Sequence, residues 1–170
     1  QDHVEPGCWP DCDMLPLGYL GKGFGEGERL TRLTREEQRT MMTLWCLFGS
    51  PLMIGAELTL LDEATLSLLT NDELLAMLPP SVKPHQICRD EEKAIWQADD
   101  EAADAHYVAL FNLGEEEQEL SVSLEELGYG EKVSLKELWT KETGFAASAI
   151  SATLAPHACV VYRVILSRLN

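Results

Sequence analysis

The pattern of apolar and polar positions changes near Pro79 and Pro80. Upstream of this pair, apolar residues recur at helical spacing between loops. Downstream they alternate in short runs that turn residues separate. The change predicts two domains, residues 1–80 with α/β character and residues 81–170 with all-β character.

The clearest helix of the first half is predicted from Thr34 through Phe48, with a wide apolar face. Thr34 and Glu37 have the spacing of a capping box, and Gly49 is suited to end the helix. Residues 1–33, which include a glycine-rich stretch from Gly18 to Glu28, are predicted to be irregular.

Three further elements are predicted before the two prolines. The short apolar run from Pro51 to Gly55 predicts a strand buried on both faces. Asp62 is expected to cap a second helix that reaches Leu69. Thr70 and Glu73 have the spacing of another capping box, for a helix from Leu74 to Leu78.

The second half contains seven short runs with the alternation and composition of strands. Turn residues separate them, among them Thr143-Gly144 and Pro156-His157. This spacing predicts an antiparallel β-sandwich. The runs are Gln86–Arg89, Ala94–Ala98, His106–Leu113, Gln118–Val122, Lys132–Trp139, Ala149–Leu154 and Ala158–Leu166.

Charge narrows the possible partners. The chain has 29 acidic and 13 basic residues and a formal net charge of −16. It lacks the basic footprint that nucleic-acid binding requires, and the same acidic excess disfavours an anionic membrane surface. We therefore expect neither nucleic acid nor a membrane as a partner. No apolar run approaches the roughly 18 residues that cross a bilayer.

The cysteines favour free thiols over a disulfide framework, because their number is odd and they are widely spaced. Free thiols fit a reducing compartment, so we expect a cytoplasmic location. Cys8 and Cys12 could form half of a metal site, but no second pair follows at zinc spacing and His3 does not complete one. We expect neither a metal nor any other cofactor.

The densest group of candidate functional residues is Trp9, Asp11, Asp13 and Met14. Carboxylates accept hydrogen bonds from sugar hydroxyls, and a tryptophan offers a flat apolar surface to a pyranose ring. In an extended segment the two carboxylates would point the same way about 7 Å apart. The alternative is that both only accept hydrogen bonds from neighbouring backbone amides, as aspartates in turns commonly do.

The segment from Trp9 to Leu15 resembles the W-N-D-P-D-M-L motif of the melibiase family of α-galactosidases, glycoside hydrolase family 27. Other segments resemble further motifs of that family in the same order. They are residues 34–40, 44–55, 66–73, 109–112, 138–140 and 156–157.

The resemblance implies the end of a (β/α)8 barrel, from about strand 7 to helix 8, followed by an antiparallel β-sandwich. A complete barrel needs roughly 250 residues, more than this chain has. The family hydrolyses terminal α-galactosides with retention, which uses a carboxylate nucleophile and a carboxylic acid. Both of these aspartates lie upstream of the D-x-D-M motif in the family. We therefore expect no catalytic residue in this chain, and no activity from the chain alone.

By the same resemblance, Asp13 and Met14 line the sugar pocket, Asp11 belongs to the motif, and Trp9 supports the pocket wall. Pro10 and Cys12 depart from the family's usual asparagine and proline. These departures leave the sugar specificity undetermined, because the family also contains α-N-acetylgalactosaminidases and β-L-arabinopyranosidases. A partial barrel would expose one flank of its last strand, so we expect self-association or pairing with the missing barrel part.

A second hypothesis assigns the β-sandwich an independent role in carbohydrate binding or structure. An exposed Trp96 or Trp139 would then form the platform for the sugar. We expect both tryptophans to pack in the core instead.

Overall fold

The computed structural model of the chain describes residues 8–22, 27–130 and 132–166. The chain divides into two compact units, one up to Leu78 and one from Pro79 onward. His3, at the start of the candidate metal site, lies outside the described residues, as do residues 23–26 of the glycine-rich stretch.

Helix α1, Arg35–Leu47, forms as predicted in the first unit. The backbone N–H of Glu37 donates to Thr34 Oγ1 at 3.2 Å, and the N–H of Thr34 donates to Glu37 Oε2 at 2.7 Å. This reciprocal pair is a complete capping box. Gly49 follows the helix with φ +63°, a left-handed conformation that glycine adopts without a steric cost.

Four two-residue strands accompany this helix. They are β1 (Met14–Leu15), β2 (Tyr19–Leu20), β3 (Arg29–Leu30) and β4 (Met53–Ile54). β1 pairs with β4 in parallel, and β2 pairs with β3 antiparallel. The prediction that residues 1–33 are irregular is therefore wrong for three short segments.

Strand β4 occurs within the run from Pro51 to Gly55, but the prediction that this run is buried on both faces is wrong. Met53 is 48% exposed and Ile54 is half-buried. Among the described residues, the ladder of β4 contains only one other strand, β1, which is too little sheet to cover both faces.

Two short helices follow. In α2, Glu63–Leu69, Asp62 Oδ1 accepts the N–H of Thr65 at 2.7 Å, which confirms the predicted cap. Helix α3 spans Asp72–Leu75 and not Leu74 to Leu78 as predicted, and its N-cap is Asn71 and not Thr70. The Thr70 hydroxyl instead donates to the Leu66 carbonyl at 2.8 Å, so it closes the preceding helix. No helix of the described residues is long and apolar enough to span a membrane.

The second unit consists of antiparallel strands, as predicted. A six-stranded sheet has the order β10-β9-β12-β7-β6-β5, and β8 pairs with β11 in a separate ladder. The strands are β5 (Lys83–Arg89), β6 (Lys93–Asp100), β7 (Ala105–Asn112), β8 (Gln118–Ser123), β9 (Val133–Glu137), β10 (Thr143–Ala146), β11 (Ala149–Leu154) and β12 (Cys159–Leu166). β10 was not predicted, because Thr143-Gly144 has the composition of a turn.

The core of this unit contains alternate residues from both ladders. Representative buried members are Ile95, Val108, Leu110, Val122 and Ile150. Trp96 and Trp139 are half-buried. The expectation that both would be core residues is therefore wrong, and neither is fully exposed.

Candidate functional site

The segment before β1 forms a turn that the two candidate carboxylates stabilise. Asp13 has φ +69°, a left-handed conformation that is uncommon outside glycine. Asp11 Oδ1 accepts the N–H of Asp13 at 2.9 Å, and Asp13 Oδ1 accepts the N–H of Met14 at 2.6 Å. The extended geometry considered from the sequence is therefore not the one that forms. Both carboxylates accept hydrogen bonds from backbone amides, as the alternative predicts.

Two side chains distant in sequence hold the same turn. The indole Nε1 of Trp45, on α1, donates to the Asp13 carbonyl at 2.9 Å. The buried Ser50 accepts the Cys12 N–H on its Oγ at 3.0 Å. A proline, the family's usual residue at position 12, has no N–H to donate, so Cys12 adds a contact that the family motif lacks.

Apolar surface borders the carboxylates. Met14 and Met53 are direct neighbours across the β1–β4 ladder, and each is almost half exposed. The ring of Trp9 is also about half exposed. An exposed carboxylate followed directly by an exposed thioether matches the polar edge and apolar face of a pyranose ring.

Hydrogen bonds join three of the four residues predicted as the site, Asp11, Asp13 and Met14, in one turn. Trp9 lies two residues before Asp11 in the chain. Sequence reasoning did not assign Trp45 or Ser50 to the site. Both occur in the segment 44–55, which resembles a motif of the family. That resemblance is the feature of the sequence that could have pointed to these two residues. Their hydrogen bonds reach back 32 and 38 residues, so they are visible only in the folded chain.

The described residues contain no group of three or more His, Cys, Asp or Glu side chains that could hold a metal ion. All five cysteines are free thiols. Cys46 and Cys159 are buried and Cys8 is exposed. Burial raises the pKa of the Cys46 thiol to about 12, so this side chain is neutral at physiological pH.

Comparison with known proteins identifies the second unit. Residues 90–164 match the family described as the α-galactosidase C-terminal β-sandwich domain. The chain is 27% identical over 165 residues to α-galactosidase 2 of Arabidopsis thaliana, an alignment that covers 94% of this chain and 39% of that protein.

Solved structures extend the match across both units. A family 27 β-L-arabinopyranosidase from Geobacillus stearothermophilus is 41% identical, with a TM-score of 0.87, and the match covers 95% of this chain and 38% of that one. A putative α-N-acetylgalactosaminidase from Bacillus halodurans is 37% identical, with a TM-score of 0.84, and the match covers 97% and 41%. The chain therefore spans about two fifths of the length of these relatives.

Proposed function

Because this chain belongs to glycoside hydrolase family 27 and corresponds to the C-terminal portion of its α-galactosidases, we propose that it completes the active site of a retaining glycosidase. The substrate that we propose is a terminal α-galactoside or a closely related pyranoside. The observation that carries the proposal is the turn at Asp13, which four hydrogen bonds hold beside apolar surface.

We assign the first unit to the end of a (β/α)8 barrel. The parallel pairing of β1 with β4, with helix α1 between them in sequence, supports this assignment. Parallel neighbours joined through a helix are the repeating unit of such barrels.

Within the site, Asp13 is the residue that we assign to a sugar hydroxyl. Its Oδ1 already accepts the Met14 N–H, so Oδ2 is the atom assigned to the ligand. Asp11, Trp45 and Ser50 act through the turn, because their bonds fix the backbone on either side of Asp13. Met14 and Trp9 contribute apolar surface. A hydrogen bond between a sugar hydroxyl and a carboxylate contributes about 1.5–3 kcal/mol.

The catalytic step requires two more carboxylates. Retaining hydrolysis uses a nucleophile and an acid about 5–5.5 Å apart on opposite sides of the scissile bond. Asp11 and Asp13 are occupied by backbone amides in one tight turn, which suits binding and not this double role. We propose that the nucleophile and the acid lie upstream of this chain in the longer protein. The chain alone is then inactive.

The identity of the sugar has two candidates. L-Arabinopyranose has the ring stereochemistry of D-galactose without the hydroxymethyl group, so one pocket can accommodate either sugar. The 41% identity to a β-L-arabinopyranosidase favours the smaller sugar, whereas the matches to curated α-galactosidases favour the larger. Rates on aryl α-D-galactoside and aryl β-L-arabinopyranoside, measured with the longer protein, distinguish the two.

We also propose that the unpaired apolar surface of the first unit mediates self-association or pairing with the rest of the barrel. Met14 and Met53, exposed side by side, support this proposal. The five free thiols support our proposal of a reducing, cytoplasmic environment.

The role of Asp13 is tested by an Asp13→Ala substitution in the longer protein. We expect kcat/KM on the preferred aryl glycoside to fall by about 10- to 100-fold, the equivalent of one charged hydrogen bond. Glu119→Ala, a substitution of an exposed acid on β8, is the matched control and should leave the rate unchanged. Turnover by the isolated chain that disappears with Asp13→Ala would mean that the catalytic carboxylates are in this chain after all.

A further inference from the structure

We propose that Cys12 and Ser50 form an interdependent pair that positions Asp13 for the sugar. In this pair the backbone N–H of Cys12 is the donor and the Ser50 Oγ is the acceptor, at 3.0 Å. We assign neither residue a contact with the sugar, so both are positioning residues. The pair matters for activity only if Asp13 binds the sugar, and its role therefore rests on the function proposed above.

The backbone of Asp13 has an uncommon conformation. Its φ of +69° is left-handed, which a residue with a side chain adopts at a cost in free energy. Such a conformation persists where several contacts around it hold it in place, and it often marks a functional position. The contacts around Asp13 therefore determine where its carboxylate points.

Hydrogen bonds hold the three consecutive peptide units around Asp13. The N–H of Cys12, in the first unit, donates to Ser50. The N–H of Asp13, in the second, donates to Asp11 Oδ1 at 2.9 Å. The carbonyl of Asp13, in the third, accepts the indole Nε1 of Trp45 at 2.9 Å. Because the dihedral angles of a residue relate the peptide units on its two sides, these bonds fix residues 12 and 13 together.

The acceptor in the first unit is itself held by helix α1. Ser50 is fully buried, and its own N–H donates to the Trp45 carbonyl at 2.9 Å. Trp45 therefore contacts the turn in two ways, directly through its indole and indirectly through Ser50. The hydroxyl of Ser50 thus offers the Cys12 N–H an acceptor in a fixed place.

The N–H of Cys12 is the reason that Ser50 needs its hydroxyl. This amide is partly buried, and a buried N–H without a partner is unfavourable. Without the hydroxyl, the peptide unit before Cys12 would rotate towards water and change the angle at which Asp13 follows. Proline removes the need for an acceptor, because it has no N–H and its ring fixes φ. A hydrogen bond to Ser50 and a proline ring are therefore alternative ways to fix residue 12.

The competing explanation is that Ser50 only stabilises the end of helix α1. In that case Ser50→Ala has the same effect whichever residue is at position 12. It also lowers the fraction of folded enzyme, which reduces the apparent kcat and leaves KM unchanged. Positioning of Asp13 instead raises KM, by an amount that depends on the residue at position 12.

The first test is a double-mutant cycle in the longer protein, with whichever of the two aryl glycosides it hydrolyses faster. We expect Ser50→Ala to raise KM about fivefold or more with Cys12 in place, and less than about twofold in a Cys12→Pro background. Ser67→Ala removes an exposed hydroxyl that donates to the Ala64 carbonyl within α2, so it is the matched control and should leave KM unchanged. Equal effects of Ser50→Ala in the two backgrounds, or a lower kcat at unchanged KM, overturn the proposal.

Asp13→Ala in the same series separates this proposal from the proposed function. If Asp13→Ala leaves kcat/KM unchanged, Asp13 does not bind the sugar, and the role of the pair falls with it. If Asp13→Ala lowers kcat/KM but the effect of Ser50→Ala is the same with cysteine and with proline at position 12, only the pairing of Cys12 with Ser50 is wrong.

The second test does not depend on turnover. In NMR spectra of this chain, the indole N–H signal of Trp45 is the one that Trp45→Phe removes. We expect Ser50→Ala to speed the exchange of this proton with solvent about fivefold or more, because loss of one contact loosens the turn that the indole binds. Adding Cys12→Pro to Ser50→Ala should slow the exchange again. An exchange rate that Ser50→Ala does not change, or that Cys12→Pro does not restore, overturns the proposal.

Discussion

At the residue scale, Asn112 shows how a single buried amide organises the end of the sandwich. It is almost fully buried at the end of β7. Its Nδ2 donates to the Leu154 and Ala155 carbonyls at 3.0 and 2.9 Å, and its Oδ1 accepts the N–H of Gly114 at 2.9 Å. One side chain therefore holds the β7–β8 turn against the end of β11.

We expect Asn112→Ala to lower the free energy of unfolding by about 3 kcal/mol or more, since it leaves several buried backbone groups without partners. Urea denaturation at neutral pH measures the change. Glu119→Ala, at an exposed position on β8, the next strand along the chain, should stay within about 0.5 kcal/mol of the wild type. A loss below about 1 kcal/mol for Asn112→Ala would mean that water replaces the amide without penalty.

The sequence identifies Asn112 only as part of a motif shared with the family. Its carbonyl partners lie 42 and 43 residues away, and no local pattern reveals them. The same limit applies at the candidate site. There, aspartates in a turn are evident from composition, but the bonds from Trp45 and Ser50 require the fold.

At the scale of elements, local chemistry decides which predictions succeed. The starts of α1 and α2 depend on side-chain bonds within four residues, so their caps can be predicted from the sequence. β10 exists because β9 offers it a partner, and the partial exposure of β4 follows from the short ladder around it. Neighbours distant in sequence determine both of these properties.

The stability that the Asp62 cap gives to helix α2 depends on pH. Hydrogen bonds from Thr65, followed by one from Arg35, lower the pKa of the Asp62 carboxyl to about 2 from an ordinary value near 3.8. The pKa of Asp62 is lower in the folded state than in the unfolded state. The ionised carboxylate therefore stabilises the fold fully above about pH 4. The effect disappears as the pH falls towards 2.

We therefore expect Asp62→Ala to cost about 1 kcal/mol of unfolding free energy at neutral pH, through loss of the α2 cap. The difference from wild type should shrink between about pH 4 and pH 2, where the wild-type carboxylate becomes protonated. Denaturant titrations of both proteins across this range measure the difference. A gap that stays constant down to pH 2 would indicate that the carboxylate charge is irrelevant to the cap.

At the scale of the whole molecule, the two units differ in the size of their sheets and in how well buried residues cover their strands. In the second unit, β7 and β12 lie inside a six-stranded sheet with a continuous buried core. In the first, β1 and β4 form a two-residue ladder with exposed methionines. From the sequence we expected an exposed strand flank in the first unit, because the family resemblance implies a partial barrel there and 170 residues are too few for a complete one.

This contrast predicts unequal protection from amide hydrogen exchange. Amides inside a wide sheet over a packed core exchange only through large openings, whereas those of a two-residue ladder exchange through local fraying. We expect the amides of β7 and β12 to exchange at least about 100-fold more slowly than those of β1 and β4, with α1 between them. Exchange followed by mass spectrometry on the intact chain measures the three groups together. Equal protection of β1 and β7 would show that the short parallel ladder is as stable as the sandwich, and would remove the physical reason for expecting the first unit to need a further part of a barrel.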